Sequence, residues 1–274
     1  FNTAVGALSG DAITTGSDNT FVGYQSGSAT TTATHNTAVG HDAMVSNTTG
    51  DFNTALGSLA LDANTTADYN VAIGYNSLSA NTTGAANTAV GFGSLQANTT
   101  AANNVAIGGA AMQVNTTGSQ NVAVGQTTLD ANTTADDNTA VGYAAMTANT
   151  TGTRNVAVGS LALDANTTGD DNVAIGYNAL SAATTADDNV GIGKDAAAAT
   201  TTGDLNVAIG RDALTTNTVG DRSIAIGVNA LGTQNPSTNT DMHNIGIGTN
   251  AGFDITTGKQ NVLIGGNAGA NLTT

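Results

Sequence analysis

Residues 70–86 read Asn-Val-Ala-Ile-Gly-Tyr-Asn-Ser-Leu-Ser-Ala-Asn-Thr-Thr-Gly-Ala-Ala, and variants of this stretch recur along almost the whole chain. The most regular position is the glycine that closes the first apolar segment. It returns every 17 residues at Gly6, Gly23, Gly40, Gly57, Gly74, Gly91, Gly108, Gly125, Gly142, Gly159, Gly176, Gly193, Gly210 and Gly227. A short fixed period is typical of a solenoid, in which each coil contacts only its neighbours.

Each 17-residue coil divides into two apolar segments and a polar corner. Val71, Ala72 and Ile73 are β-formers, and the glycine after them can take the positive φ of a turn. In residues 77–80, apolar Leu78 and Ala80 alternate with polar residues, which predicts a second, half-buried strand. Residues 81–84, Asn-Thr-Thr-Gly, predict a corner. The sequence therefore predicts an all-β fold, a parallel β-solenoid (β-roll) of 17-residue coils.

The repeat also predicts the domain organisation. After Gly227 the phase shifts by four residues, and Gly248 and Gly265 resume it. Residues 1–274 are thus predicted to form a single continuous array of 16 coils with a four-residue insertion between Gly227 and Gly248. Because Pro236 cannot donate to a β-ladder, we expect the insertion to be a surface loop with strands in register on either side. The chain begins and stops within the motif, which predicts a slice of a longer protein.

The first strand carries no polar face. The middle position is Ala in most coils, and no charged residue occupies any of the three strand positions. Since a strand that is apolar on both faces must be covered on both sides, we predict a homotrimeric rod with the Ala column at its axis. The alternative is a monomeric solenoid with an exposed stripe of small residues.

Composition excludes several functions. The net charge is −15, with only five Lys and Arg, which argues against nucleic acid or an anionic membrane as partner. There is no Cys, and no apolar run is long enough to span a bilayer. The three His residues are isolated, and no nucleophile lies in a catalytic motif. We therefore predict that the segment is not an enzyme and has no cofactor.

Paired aspartates give the strongest candidate for a metal site. They precede the strand in neighbouring coils, where stacking would bring four carboxylates to about 5 Å spacing. The candidate calcium ligands are Asp170, Asp171, Asp187 and Asp188. The alternative is a solvated acidic turn, in which Arg154 offsets part of the charge.

Two further side-chain sets bear on binding. The aromatic residues that follow the repeated glycine could stack on sugars, although singly exposed rings are common; they are Tyr24, Tyr75, Phe92, Tyr143 and Tyr177. Asn-x-Thr sequons recur in the corner and would matter in a host that glycosylates exported proteins; they begin at Asn47, Asn64, Asn81, Asn98, Asn115, Asn132, Asn149 and Asn166, with another at Asn271. We also expect the corner Asn residues, and those that open each strand, to stack as amide ladders.

Several phrases resemble repeats of known surface proteins. Residues 223–227, Ser-Ile-Ala-Ile-Gly, and 70–74, Asn-Val-Ala-Ile-Gly, resemble the head repeats of YadA-like trimeric autotransporter adhesins. Residues 244–252 and 261–269 are similar to phage tail-fibre repeats that accompany endosialidase-type chaperone domains. The resemblance covers all 16 coils, although YadA-like heads use a shorter coil. It implies a homotrimer of parallel β-rolls outside the cell, on a cell surface or on a virion tail.

The expected function is therefore structural. The segment is predicted to be the shaft or head of an extracellular adhesin or tail fibre, holding a binding tip for a cell-surface or glycan receptor elsewhere in the full-length protein. The alternatives are a self-assembling extracellular filament, or a solenoid whose side ladder binds a glycan, ice or another fibre.

Overall fold

The computed structural model describes residues 1–273, and its regular structure is entirely β. No helix occurs in this part of the chain. The fold is a parallel β-solenoid of 17-residue coils, which confirms the predicted fold class. Thr274, the last residue of the predicted array, lies outside the described residues. The chain contains two compact units, unit 1 (Phe1–Asp137) and unit 2 (from Asn138 onward).

Unit 1 has one three-residue strand in each of its eight coils. These are β1 (Thr3–Val5), β2 (Thr20–Val22), β3 (Thr37–Val39), β4 (Thr54–Leu56), β5 (Val71–Ile73), β6 (Thr88–Val90), β7 (Val105–Ile107) and β8 (Val122–Val124). Each strand pairs in parallel with the next, and the register follows the repeat, so that Ala55 lies beside Ala72. Sequence period and structural period are therefore the same.

Unit 2 repeats this arrangement around the insertion. Its strands are β9 (Thr139–Val141), β10 (Val156–Val158), β11 (Val173–Ile175), β12 (Val190–Ile192), β13 (Val207–Ile209), β14 (Gly220–Asp221), β15 (Ile224–Ile226), β16 (Thr240–Asp241), β17 (Ile245–Ile247) and β18 (Val262–Ile264). Across the insertion, β15 pairs with β17 and Ala225 lies beside Gly246. Residues 237–239 are exposed, and β14 pairs with β16 at the base of the loop. The strands on either side of the insertion are in register, as predicted, whereas Pro236 itself is buried.

The repeated glycine is required by close contact between coils. Gly74 has φ +133°, and a Cβ there would lie 2.5 Å from the carbonyl oxygen of Gly91 in the next coil. Both the backbone conformation and the space exclude a larger residue.

The second predicted strand is wrong. Residues 75–80 form a chain of turns that includes two left-handed residues, with φ 58° at Asn76 and 53° at Leu78. The coils still bond to each other here, since Leu78 N–H donates to the Ser94 carbonyl at 2.9 Å. These turns bury two adjacent side chains, since Ser77 and Leu78 are both completely buried whereas Ser79 and Ala80 are partly exposed.

The prediction that the Ala column lies at a trimer axis is also wrong. Ala72 and its equivalents from Phe21 to Ala225 are completely buried inside the single chain. The turn segment covers them: a Cβ added at Gly191, an equivalent of Ala72, would lie 2.9 Å from Leu180 Cγ of the preceding coil. The small residue is needed because Leu fills the interior opposite it. Val71 and Ile73 consequently point outward and are partly exposed.

Both predicted amide ladders are present. In the ladder that opens the strands, Asn53 Oδ1 accepts from Asn70 N–H at 2.8 Å, while Asn53 Nδ2 donates to the Ala67 carbonyl. In the corner ladder, Asn81 Nδ2 donates to Asn64 Oδ1 at 3.1 Å and to the Gly84 carbonyl at 2.9 Å. These buried amides form hydrogen bonds with backbone N–H and C=O groups of the turns that have no backbone partner.

Candidate functional site

One repeated surface is the outward side of the strands, here called the outer face. It consists of the first and third residues of each three-residue strand, and these are only Thr, Val, Ile or Leu in both units. In unit 1, Leu56 is 48% exposed and Ile107 is 40% exposed. Each unit therefore presents an uncharged, mainly apolar face to its surroundings. With the Ala column at a trimer axis, Val71 and Ile73 would have faced the interior of their own coil; the turn segment covers the Ala side instead.

Aromatic side chains border the outer face of unit 1 on the side where the strands begin. His35, Phe52 and Tyr69 form a stack, with ring centroids 4.9 Å and 5.2 Å apart and interplanar angles of 15° and 3°. Each precedes the Asn that opens a strand, and each has a left-handed φ near 60°. Sequence reasoning missed this stack, although the 17-residue spacing of the three rings was the signal for it. We call it the ring stack.

The aromatic residues after the repeated glycine are exposed, as expected, but several do not present free faces. Tyr75 and Phe92 stack with centroids 5.8 Å apart, and Tyr24 stacks on His41 at 5.3 Å. A ring that already covers its neighbour has one face less for a sugar. Binding of glycans by these residues stays a prediction.

The acidic corner around Asp170 and Asp187 is a hydrogen-bonded structure. Asp170 Oδ1 accepts from Thr153 N–H at 2.6 Å, and Asp187 Oδ1 accepts from Asp170 N–H at 2.8 Å. Asp204 Oδ1 accepts in the same way from Asp187 N–H. Burial, aided by the neighbouring carboxylates, raises the pKa of the Asp204 carboxyl. One oxygen of each carboxylate thus serves the backbone of the preceding coil.

Asp171 and Asp188 differ from these two. Arg154 donates to both oxygens of Asp171, at 2.7 Å each, and this contact lowers the pKa of Asp171. The predicted charge compensation by Arg154 is therefore confirmed for Asp171. Asp188 is exposed and has a left-handed φ of 58°. No group of three or more His, Cys, Asp or Glu residues within 1–273 is arranged to hold a metal ion. Calcium binding by the four aspartates stays a prediction.

A second set of aspartates is half-buried on the turn segment. Asp62, Asp130 and Asp164 occupy the same position in different coils, and burial raises the pKa of all three carboxyls. The Oδ1 atoms of Asp62 and Asp130 are buried without a hydrogen-bond partner. Desolvation therefore disfavours the charged form of these residues.

The corner sequons are inaccessible in the folded chain. All eight corner Asn residues predicted as acceptors are completely buried. Their amide nitrogens are already donors, as Asn81 shows with the Gly84 carbonyl. Only the sequon at Asn271 has an exposed Asn. Glycosylation at the corner would require an unfolded chain.

Comparison with family models, with curated proteins and with solved structures finds no match. The resemblance to YadA-like heads and tail-fibre repeats therefore stays a prediction from the sequence. No pocket is present on the described part of the chain. None of residues 1–273 belongs to a helix that is long and apolar enough to cross a membrane.

Proposed function

We propose that this chain is a structural segment of an extracellular fibre, the shaft or head of an adhesin or tail fibre, and that it self-associates as a homotrimer. The observation that carries the proposal is the outer face. The coils close their own interior, yet each leaves an uncharged pair on its outward side, which is apolar at Val105 and Ile107 and begins with Thr in other coils, such as that of Thr88. Repetition of this pair suits a partner that repeats with the same period.

A second copy of the same chain has that period. Each coil contributes three strand residues, which rise about 3.3 Å each along the strand, and neighbouring coils lie about 4.8 Å apart. The outer face therefore covers about 48 Å² per coil. Eight coils then offer roughly 400 Å² in each unit. A partner in a standard interface contributes about 800 Å². The outer face of one unit is about half of this value, so an interface built on this face must also include the residues that border it.

Charge favours the same face. The net charge of −15 would repel a second copy at most surfaces, but the outer face contains no Asp. Around a three-fold axis the two columns of the face would each meet one neighbour. In this arrangement the Val and Ile columns lie at the trimer interface. The Ala column does not, because it is buried in its own coil.

The test is the oligomeric state of matched variants. We expect the unmodified chain to sediment as a trimer and the double variant Val105→Asp/Ile107→Asp to sediment as a folded monomer. The control is Thr100→Asp/Thr117→Asp, which places the same charges at exposed corner positions and should remain trimeric. A folded monomer for the unmodified chain would refute the trimer and favour a solenoid that binds another surface.

A further inference from the structure

The ring stack of unit 1 ends abruptly. His35, Phe52 and Tyr69 lie in three successive coils, and the next coil has Ala86 at the same position. Ala86 keeps the left-handed backbone of the series, with φ 57°, but supplies only a methyl group. One face of the terminal Tyr69 ring is therefore left without a ring to cover it, and Tyr69 is 60% exposed.

The layer at Ala86 has the dimensions of a flat aromatic group. The rings below it repeat at the spacing of the coils, with Phe52 and Tyr69 within 3° of parallel. A planar ligand that stacks on Tyr69 would continue this series for one further layer. Asn103 occupies the same position in the following coil and is exposed. It would lie beyond the ligand without filling its layer.

The electrostatics of unit 1 select the charge of the ligand. Residues 1–137 contain nine Asp and no Lys or Arg. Asp51 and Asp68 directly precede Phe52 and Tyr69, so two carboxylates accompany the stack. Since an aromatic face also attracts cations, both the local charge and the ring favour a positively charged group.

We propose that unit 1 binds planar aromatic cations by stacking them on the open face of Tyr69, in the layer of Ala86. The ligand class is a flat, delocalised ring system that carries a positive charge. Neither the fibre function nor the homotrimer is needed for this site, because the ring stack lies beside the outer face and belongs to one chain.

Unit 2 supplies the blocking variant. Arg154 and Arg222 occupy the position of Ala86 in their own coils, with φ 57° and 58°. The backbone therefore accepts Arg at this position, and Ala86→Arg would put a bulky cationic side chain into the layer of the ligand. Ala86→Gly is the matched control, because glycine readily takes the left-handed φ of 57° and leaves both the layer and the charge unchanged.

Titration of the full chain with thioflavin T, a planar benzothiazolium cation, tests the proposal by calorimetry and fluorescence. We expect saturable binding that weakens with salt. Tyr69→Ala and Ala86→Arg should weaken it by about tenfold or more, the effect of one lost stacking contact. Ala86→Gly and Phe92→Ala should leave it within about twofold, since neither fills the layer of the ligand nor removes the stacking contact. Circular dichroism confirms that each variant is folded.

Three outcomes would overturn the proposal. The first is an absence of saturable binding to the unmodified chain. The second is equal affinity in the Tyr69→Ala variant, or equal loss in Tyr69→Ala and Phe92→Ala, because either would place the dye elsewhere. The third is equally tight binding of an anionic planar dye, which would remove the selection by charge. Binding that is lost only in the Tyr69→Ala and Ala86→Arg variants supports it.

Discussion

Gln234 Oε1 accepts a hydrogen bond from Asn244 Nδ2 at 2.9 Å inside the coil that contains the insertion. Gln234 stands at the corner position, whereas Asn244 belongs to the ladder that opens the strands. In other coils such an Asn donates to the preceding Asn, as Asn121 does to Asn104. The residue before Asn244 in this ladder is Ser223, which has no amide oxygen. The longer side chain of Gln234 therefore supplies the acceptor that Ser223 lacks.

Replacing Gln234 should destabilise unit 2. Gln234 also donates to Ser223 Oγ at 3.0 Å, so Gln234→Ala leaves buried groups of both Ser223 and Asn244 without this partner. Unsatisfied buried groups of this kind cost about 1–3 kcal/mol. The free energy of unfolding in urea measures the loss. Asn239→Ala, an exposed change in the same loop, is the control and should have no effect.

Restoring the corner ladder should stabilise the protein. Thr200 takes the corner position, and its Oγ1 is buried without a hydrogen-bond partner. In Thr200→Asn the introduced amide should donate to the carbonyl of Gly203, as Asn81 does to Gly84. We expect the free energy of unfolding to rise by about 1 kcal/mol, the usual net value of one such bond.

The neighbouring threonine provides the comparison. Thr201 Oγ1 already donates to the Thr218 carbonyl at 3.0 Å. Thr201→Asn changes the same atoms but removes this bond, so it should lower stability. Equal effects of the two substitutions would contradict the role assigned to the corner amides.

Two glycines of unit 1 should respond oppositely to alanine. Gly91 has φ +135°, and an added Cβ would lie 2.4 Å from the Gly108 carbonyl oxygen. Gly91→Ala should therefore cost about 2 kcal/mol or more. At Gly109 an added Cβ meets nothing within 4 Å. Gly109→Ala should be neutral or stabilising by up to about 1 kcal/mol, because it restricts the unfolded chain. Thermal unfolding of the pair measures the difference.

The glycine period was sufficient to predict coil length, strand register and the place of the insertion. The repeated Gly74 identifies one corner of every coil, and parallel pairing then follows because each coil copies the last. The interior could not be predicted in the same way. Ala72 and Val71 are both apolar, and the choice between them depends on the turns at Asn76 and Leu78. Their left-handed conformations carry no Gly or Pro signal.

The candidate sites show the same limit. Sequence reasoning found the acidic pairs because they are adjacent in the chain, but it could not see that Asp170 accepts from a backbone N–H one coil away. It passed over His35, Phe52 and Tyr69 because each is single in its own coil. Stacking, which acts between coils, makes them a group.

Moderate acidification should stabilise the protein. Burial raises the pKa of Asp62, Asp130 and Asp164 above the usual 3.8. As the pH falls from neutral through the folded pKa, the folded chain binds protons before the unfolded chain does, so the free energy of unfolding rises. Below 3.8 the gain is complete, whereas stabilisation of Asp171 by Arg154, which depends on a lowered pKa, is lost there.

Matched variants separate this effect from the net charge. The triple variant Asp62→Asn/Asp130→Asn/Asp164→Asn should be more stable at neutral pH and should gain less on acidification. The control Asp11→Asn/Asp137→Asn/Asp188→Asn removes three exposed charges and should keep the pH profile of the unmodified chain. Melting temperatures between neutral pH and pH 4 measure both. If the melting temperatures of the two triple variants changed with pH in the same way, the effect would be due to overall charge.

The role of Asp170 distinguishes a backbone acceptor from a calcium ligand. Its Oδ1 accepts from Thr153 N–H at 2.6 Å. Asp170→Asn keeps an acceptor oxygen, whereas Asp170→Ala removes it and should cost about 1 kcal/mol. We expect the same difference between the two variants in calcium and in EDTA at equal ionic strength. If calcium instead raised the melting temperature of the unmodified chain but not that of Asp170→Asn or Asp187→Asn, this result would establish the calcium site. An amide at either position keeps the backbone bond but loses the charge that a hard cation requires.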